Sequence, residues 1–211
     1  TIQYYLKKHM EKAIRDNQIR SGGMGIVMEV DTGTILGMCT LPDYDCNDYL
    51  TLNETYSIQL EAAKEAGEMT EEELDELSYS LLMKQWRNRA IADTYEPGST
   101  FKIFTLASAL EEGIVSEGDN FRCDGSMSVR GRKEALHCWR RTGHGDQTLK
   151  EAAQHSCNVA FATLGLRLGA TKFYDYMEAF GFFDKTGIDL GGGEAESIWW
   201  SRKVFEDPNN H

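Results

Sequence analysis

The spacing of apolar residues changes several times along the chain, and each change marks an element. Ile2, Leu6, Met10, Ala13 and Ile14 recur at helical spacing, so residues 2–16 are expected to form an amphipathic helix that Gly22-Gly23 ends. Two strand-like runs follow, 24–30 and 35–40, joined by Asp31-Thr32-Gly33-Thr34, a hairpin signal. So hydrophobic a pair belongs at the centre of an antiparallel sheet. After Leu41-Pro42 the stretch 43–53 is polar and turn-rich. Residues 57–67 and 70–86 then read as helices, the second opened by the capping box Thr70 to Glu73.

Glu96-Pro97-Gly98-Ser99-Thr100-Phe101-Lys102 is a Pro-Gly loop leading into an apolar helix that Gly113 stops. Residues 119–139 read as short strands and turns. Thr148 to Glu151 is a second capping box, for a helix that ends at a loop around Ser156. Helices are expected over 158–168 and 171–180, with Phe173, Tyr176, Met177 and Phe180 as ordinary core packing. From Glu194 onward the chain is polar with scattered aromatics.

Composition narrows the field. The 211 residues suffice for one core, or one domain with a small subdomain, and 41% hydrophobic residues exclude disorder. A net charge of -12 argues against nucleic acid as a partner, which needs a basic face. The six Asp and Glu residues between 68 and 76 read as a solvated face. No apolar run approaches the roughly 18–20 residues that span a bilayer, and no signal peptide is visible.

Candidate chemistry begins at Ser99 and Lys102. Positions i and i+3 share a helix face, so the Lys102 amine can reach the Ser99 hydroxyl. A serine becomes a nucleophile when a neighbour takes its proton, and a lysine does this when burial keeps part of it neutral. First-turn amides would face an oxyanion. One Ser-x-x-Lys is weak, since about one chance match is expected in a chain this long. Ser156-Cys157-Asn158 supplies a second polar element, for which a helix N-cap is the bland explanation.

Cysteines stand at 39, 46, 123, 138 and 157. Cys123, His137, Cys138, His144, His155 and Cys157 invite a zinc reading. No pair has the Cys-x-x-Cys or His-x-x-x-His spacing of common zinc sites, so no metal is expected. His137 or His144 as a general base is a rival to Lys102.

Together these stretches resemble the transpeptidase domain of class B penicillin-binding proteins, most of all the sporulation-type members. The resemblance runs from Gly25-Ile26-Val27-Met28 and Asp31-Thr32-Gly33 through Trp86-Arg87-Asn88, Tyr95 to Lys102, His137-Cys138-Trp139, Gly143-His144-Gly145 and Ser156-Cys157-Asn158 to Phe180-Gly181-Phe182 and Lys185 to Leu190. It implies a mixed α/β (α+β) fold like that of serine β-lactamases, a central antiparallel sheet flanked by helices, with the C-terminal strands missing. Residues 1–211 would be part of one transpeptidase domain, without the membrane anchor, the pedestal domain and the rest of the domain.

The resemblance implies peptidoglycan D,D-transpeptidation: Ser99 acylated, Lys102 its base, Ser156 a proton relay and Asn158 a ligand for the substrate amide. It implies stem peptides and β-lactams as ligands, a wall-synthesis glycosyltransferase as partner, no cofactor, and a place on the extracytoplasmic face of the cell membrane. Lys185-Thr186-Gly187 spells the family's third motif, but it follows a helix and precedes Gly187-Ile188-Asp189-Leu190, so Lys185 reads as structural. Gly191-Gly192-Gly193 departs from the usual Pro-Gly and implies a looser turn.

In an oxidising space Cys138 and Cys157, which flank the expected site, would form a redox pair; two buried free thiols are the alternative. Rival functions are a β-lactamase, a β-lactam sensor, and a non-catalytic structural or partner-binding module of a wall-synthesis complex.

Overall fold

The structure is a computed structural model and describes residues 1–190, 194 and 199–207. It divides into two compact units, residues 1–94 with 187–195, and residues 95–186 with 196–211.

The first unit is built on a hairpin. Strand β1 (Gly23–Met28) pairs antiparallel with β2 (Ile35–Leu41), close to the expected runs. In this register Gly25 faces Cys39 and Val27 faces Gly37. Helix α1 (Ile2–Asp16) lies on that face. Glycine lets the helix come close: a Cβ on Gly25 would stand 3.0 Å from Cδ1 of Leu6. On the opposite face Met24, Ile26, Met28 and Ile35 are exposed. The central sheet expected from hydrophobicity is therefore, among the described residues, a sheet of two strands.

Helix α2 (Glu54–Ala66) starts ahead of the expected position, because Asn53 Oδ1 accepts the Tyr56 amide at 3.0 Å. Helix α3 (Glu71–Trp86) carries the Thr70 and Glu73 capping box as expected. Its buried Gln85 holds the loop before α2 by accepting from Asn53 N at 2.7 Å and donating to Thr51 O at 3.0 Å. A short helix α4 (Arg89–Ala92) was not expected; the Asn88 side chain caps it and also accepts from Thr40 Oγ1.

In the second unit a 3-10 turn (Gly98–Phe101) runs into α5 (Lys102–Glu111). Short strands β3 (Asn120–Cys123), β4 (Ser126–Met127), β5 (Leu136–His137) and β6 (Gly145–Thr148) follow, with β3 paired to β6 and β4 to β5. Then come α6 (Leu149–Gln154), α7 (Asn158–Leu168), α8 (Ala170–Ala179) and α9 (Arg202–Phe205). Strand β6 was not expected, since only Gln147 of its four residues is buried and no apolar alternation marks it. Helix α5 packs on α7 and α8.

Phe104 anchors the packing of α5. It is buried and meets Phe173, Phe180 and Phe182 edge-on, each with ring centroids 5.2 Å away. The aromatic stripe of α8 is only partly core: Met177 and Tyr174 are buried, while Phe180 stays 55% exposed at the edge of this cluster. Gly191-Gly192-Gly193, read as a looser turn, lies outside the described residues. No helix among the described residues is long and apolar enough to cross a membrane.

Candidate active site

Ser99 is the second residue of the 3-10 turn and is exposed; Lys102 is the first residue of α5 and is half-buried. Their spacing on one helical face brings Lys102 Nζ to 3.3 Å from Ser99 Oγ. The other members arrive from the junction of two helices. The capping box of Thr148 and Glu151 starts α6, and three residues between α6 and α7 turn the chain back. In that turn Ser156 adopts a left-handed backbone, φ +49, which is uncommon for a residue with a side chain.

This turn surrounds the Lys102 amine. Nζ donates to Ser156 O at 2.8 Å, to Ser156 Oγ at 2.9 Å and to Asn158 Oδ1 at 2.7 Å. The ring of Phe161 lies below it, 5.5 Å to the centroid. An ammonium has three protons for four acceptors, these three and the more distant Ser99 Oγ, so the contacts compete for them. Once the amine is neutral it has two protons and a lone pair for these contacts, and the lone pair can accept from the Ser99 hydroxyl, the most distant of the four. Burial favours that form, pushing the Lys102 pKa below its usual value, with Cys138 and Cys157 opposing weakly.

Asn158 is fixed from its other end. Its Nδ2 donates to the main-chain oxygen of His137 at 3.1 Å. The structure thus brings together all four expected residues, Ser99, Lys102, Ser156 and Asn158. Sequence reasoning missed the parts played by the His137 carbonyl, the Ser156 carbonyl and Phe161, since a main-chain acceptor leaves no trace in residue type. Among the described residues neither rival histidine is hydrogen-bonded to Ser99: His137 offers its carbonyl to Asn158, and His144 Nδ1 lies 3.6 Å from Cys138 Sγ. Of the first-turn amides, that of Thr100 donates to Pro97 O at 3.3 Å. Lys185-Thr186 lies in an exposed irregular segment and on no strand.

Cys138 and Cys157 are both free thiols and both buried. Burial raises the Cys157 thiol. Burial also raises Cys138, but the amides of Arg140 and Asn158 and the neighbouring thiols of Cys123 and Cys157 outweigh it and lower that thiol. The argument against metal from chain spacing does not survive the fold. Cys123, Cys138, His144 and Cys157, on four separate segments, place their ligand atoms within 4.8 Å of one another.

A serine, a desolvated lysine, a second serine and a pinned asparagine in this order can be tested against known proteins. Residues 23–203 match the family described as penicillin binding protein transpeptidase domain. The chain belongs to that family. This transpeptidase domain is 38% identical over 196 residues to the stage V sporulation protein D of Bacillus subtilis, a match covering 91% of the chain and 26% of the relative. Among solved structures it is similar to the D,D-transpeptidase domain of a peptidoglycan glycosyltransferase from Eggerthella lenta. That match has a TM-score of 0.65 and 29% identity, and covers 93% of this chain and 41% of that one. It is similar too to the penicillin G acyl-enzyme complex of penicillin-binding protein A from M. tuberculosis, with TM-score 0.59, 32% identity, and 83% and 37% covered. The chain thus spans about a quarter of the curated relative's length, and its fold is the mixed α/β fold of this family.

Proposed function

We propose that this domain is the acylating part of a peptidoglycan D,D-transpeptidase that β-lactams also acylate. The observation that carries the reading is the position of Lys102 Nζ, hydrogen-bonded to the hydroxyls of both Ser99 and Ser156. Neutral Lys102 takes the Ser99 proton as Oγ attacks the penultimate D-Ala carbonyl of a stem peptide. The proton passes through Ser156 to the departing nitrogen, so D-Ala leaves with a neutral amine and an ester joins the stem to Ser99. An amine from a neighbouring stem then attacks the ester; an amide forms, and the proton returns to Ser99. Asn158, already held by His137, is placed to bind the substrate's amide through its side chain. The opened β-lactam ring takes the place of the peptide ester and stays.

The names of the relatives support the peptidoglycan substrate; on this reading the domain acts on the outer side of the cell membrane, beside a glycosyltransferase that supplies strands. Intact mass after incubation with benzylpenicillin tests the reading. One adduct mapped to Ser99, absent in Ser99→Ala, is the expected result. An adduct that persists in Ser99→Ala would remove Ser99 from its role. Nitrocefin turnover would move the chain to the β-lactamases.

A further inference from the structure

We propose that Trp139 is a positioning residue for Ser156, acting through the bond from its indole N–H to the His155 carbonyl. Its chemical consequence rests on the proposed function, in which Ser156 relays the proton; the clamp on the main chain does not.

Trp139 sits in a bend just after β5 and is 65% exposed. A ring left that far in water adds little to a core. Its side chain is nevertheless fixed. The ring meets His144 edge-on with centroids 5.3 Å apart, His144 stacks on His155 at 5.0 Å, and Nε1 donates to His155 O at 2.9 Å. The indole has this single N–H to give, and it goes to the main chain one residue ahead of Ser156. The segment behind it is anchored in turn, since Cys138 N donates to Gly125 O at 2.9 Å.

The turn that receives this bond needs support from outside. Helix α6 ends at His155 in a Schellman motif: Ser156 N donates to Ala153 O and Cys157 N to Ala152 O, both at 3.0 Å. The left-handed position of that motif is usually glycine, which adopts it freely. Here it is Ser156, with φ +49. A side chain stays in that region only where its surroundings over-determine the backbone. Both peptide groups that flank Ser156 are held at both ends. The first is fixed by Trp139 at His155 O and by Ala153 at Ser156 N, the second by Lys102 at Ser156 O, 2.8 Å, and by Ala152 at Cys157 N. The Ala bonds belong to the helix end itself, so Trp139 and Lys102 are the two supports that glycine would not need.

These two supports respond differently to the reaction. Lys102 holds Ser156 O and Oγ through charge-assisted bonds, which weaken when the amine gives up its proton. The neutral amine is the form that starts acylation. The indole keeps its N–H throughout, so Trp139 holds Ser156 Oγ on Lys102 in the state where the grip of Lys102 is weakest.

The test compares the 211-residue chain with Trp139→Phe, which keeps a ring and loses the N–H, and with a benzothiophene analogue of tryptophan at 139, in which sulfur replaces the N–H alone. Stopped-flow reaction with a fluorescent penicillin separates the binding constant from the acylation rate constant. Both replacements are expected to lower the rate constant by about 10–10²-fold and to leave the binding constant unchanged. Trp86 makes the same kind of bond in the first unit, to Tyr49 O at 2.8 Å, and Trp86→Phe is expected to lower Tm without slowing acylation. In a Ser156→Ala background, Trp139→Phe should change the rate constant by less than about twofold, because the indole acts through Ser156.

Hydrogen exchange supplies a readout that needs no acylation. The amides of Ser156 and Cys157 are expected to exchange at least about tenfold faster in Trp139→Phe and at the unaltered rate in Trp86→Phe. If the unaltered chain takes no penicillin, the proposed function falls and the exchange rates alone decide the clamp. Unchanged exchange in Trp139→Phe would overturn it. So would unchanged acylation in both replacements, a loss confined to the binding constant, equal slowing by Trp86→Phe, or the full loss repeated in the Ser156→Ala background.

Discussion

Lys102 Nζ is closer to Asn158 Oδ1, at 2.7 Å, than to the Ser99 hydroxyl it would deprotonate, at 3.3 Å. The amide oxygen steadies the ammonium without carrying charge, so the amine can still give up its proton. Asn158→Asp would place a carboxylate there. An opposite charge at this range raises a lysine pKa by about 1–3 units, which cuts the neutral fraction by roughly 10–10³ below that pKa. Acylation by a fluorescent penicillin is expected to slow by that range at neutral pH, and its midpoint to move to higher pH. A slower reaction with an unmoved midpoint would mean that Lys102 is not the titrating base.

Burial sets the direction of the pH response of the unaltered chain. With the folded Lys102 pKa lowered below 10.5, acylation is expected to rise with pH through that lowered value. Stability follows the same window. Between the lowered folded value and the unfolded value the unfolded chain binds more protons, so stability rises with pH there, and the penalty of burying the ammonium is fully present below it. Lys102→Met is expected to flatten this rise in urea titrations at a series of pH values, and to cut acylation by about 10²–10⁴. A rise that persists in the variant would assign it to another group.

The site also depends on a helix that contributes none of its chemistry. The Thr148 hydroxyl accepts from Glu151 N at 3.2 Å, while the Glu151 carboxylate accepts from Thr148 N at 2.7 Å, which holds that carboxyl below its usual range. This box fixes where α6 starts, and so where its C-terminal end delivers Ser156. Thr148→Ala is expected to cost about 1 kcal/mol, a fall in Tm of roughly 2–4 °C, with slower acylation at temperatures well below the melt. Unchanged acylation with a lowered Tm would separate the box from the site.

Much of this was legible in the residues. Ser99 and Lys102 lie within one helical turn, where spacing dictates contact, and both capping boxes announce their helices through a Thr and a Glu three residues on. The second catalytic element was readable as a polar break, but its docking on Lys102 depends on how α5 packs against α7. The thiol cluster was rejected on spacing, because its four members come from four segments. What joins them is the close approach of main chains at Gly125 and Gly143, which no short-range pattern encodes. Helix α2 begins early for a local reason, the side chain of Asn53, which reads in sequence as one more polar residue of a polar stretch. Lys185 shows the opposite case, in which three letters of a motif are present and the strand that should carry them is not.

The outer face of the first hairpin governs how copies of the chain behave toward one another. Met24, Ile26, Met28 and Ile35 form an uncovered oily row, while every copy carries a net charge of -12 that holds its neighbours off. The repulsion acts over a Debye length of about 10 Å at 0.1 M salt and about 3 Å at 1 M, whereas the attraction between apolar rows survives added salt. Light scattering should therefore show association growing as sodium chloride is raised, and Ile26→Lys should suppress it. For this chain salt sets colloidal behaviour, and dilute buffer is where it stays dispersed.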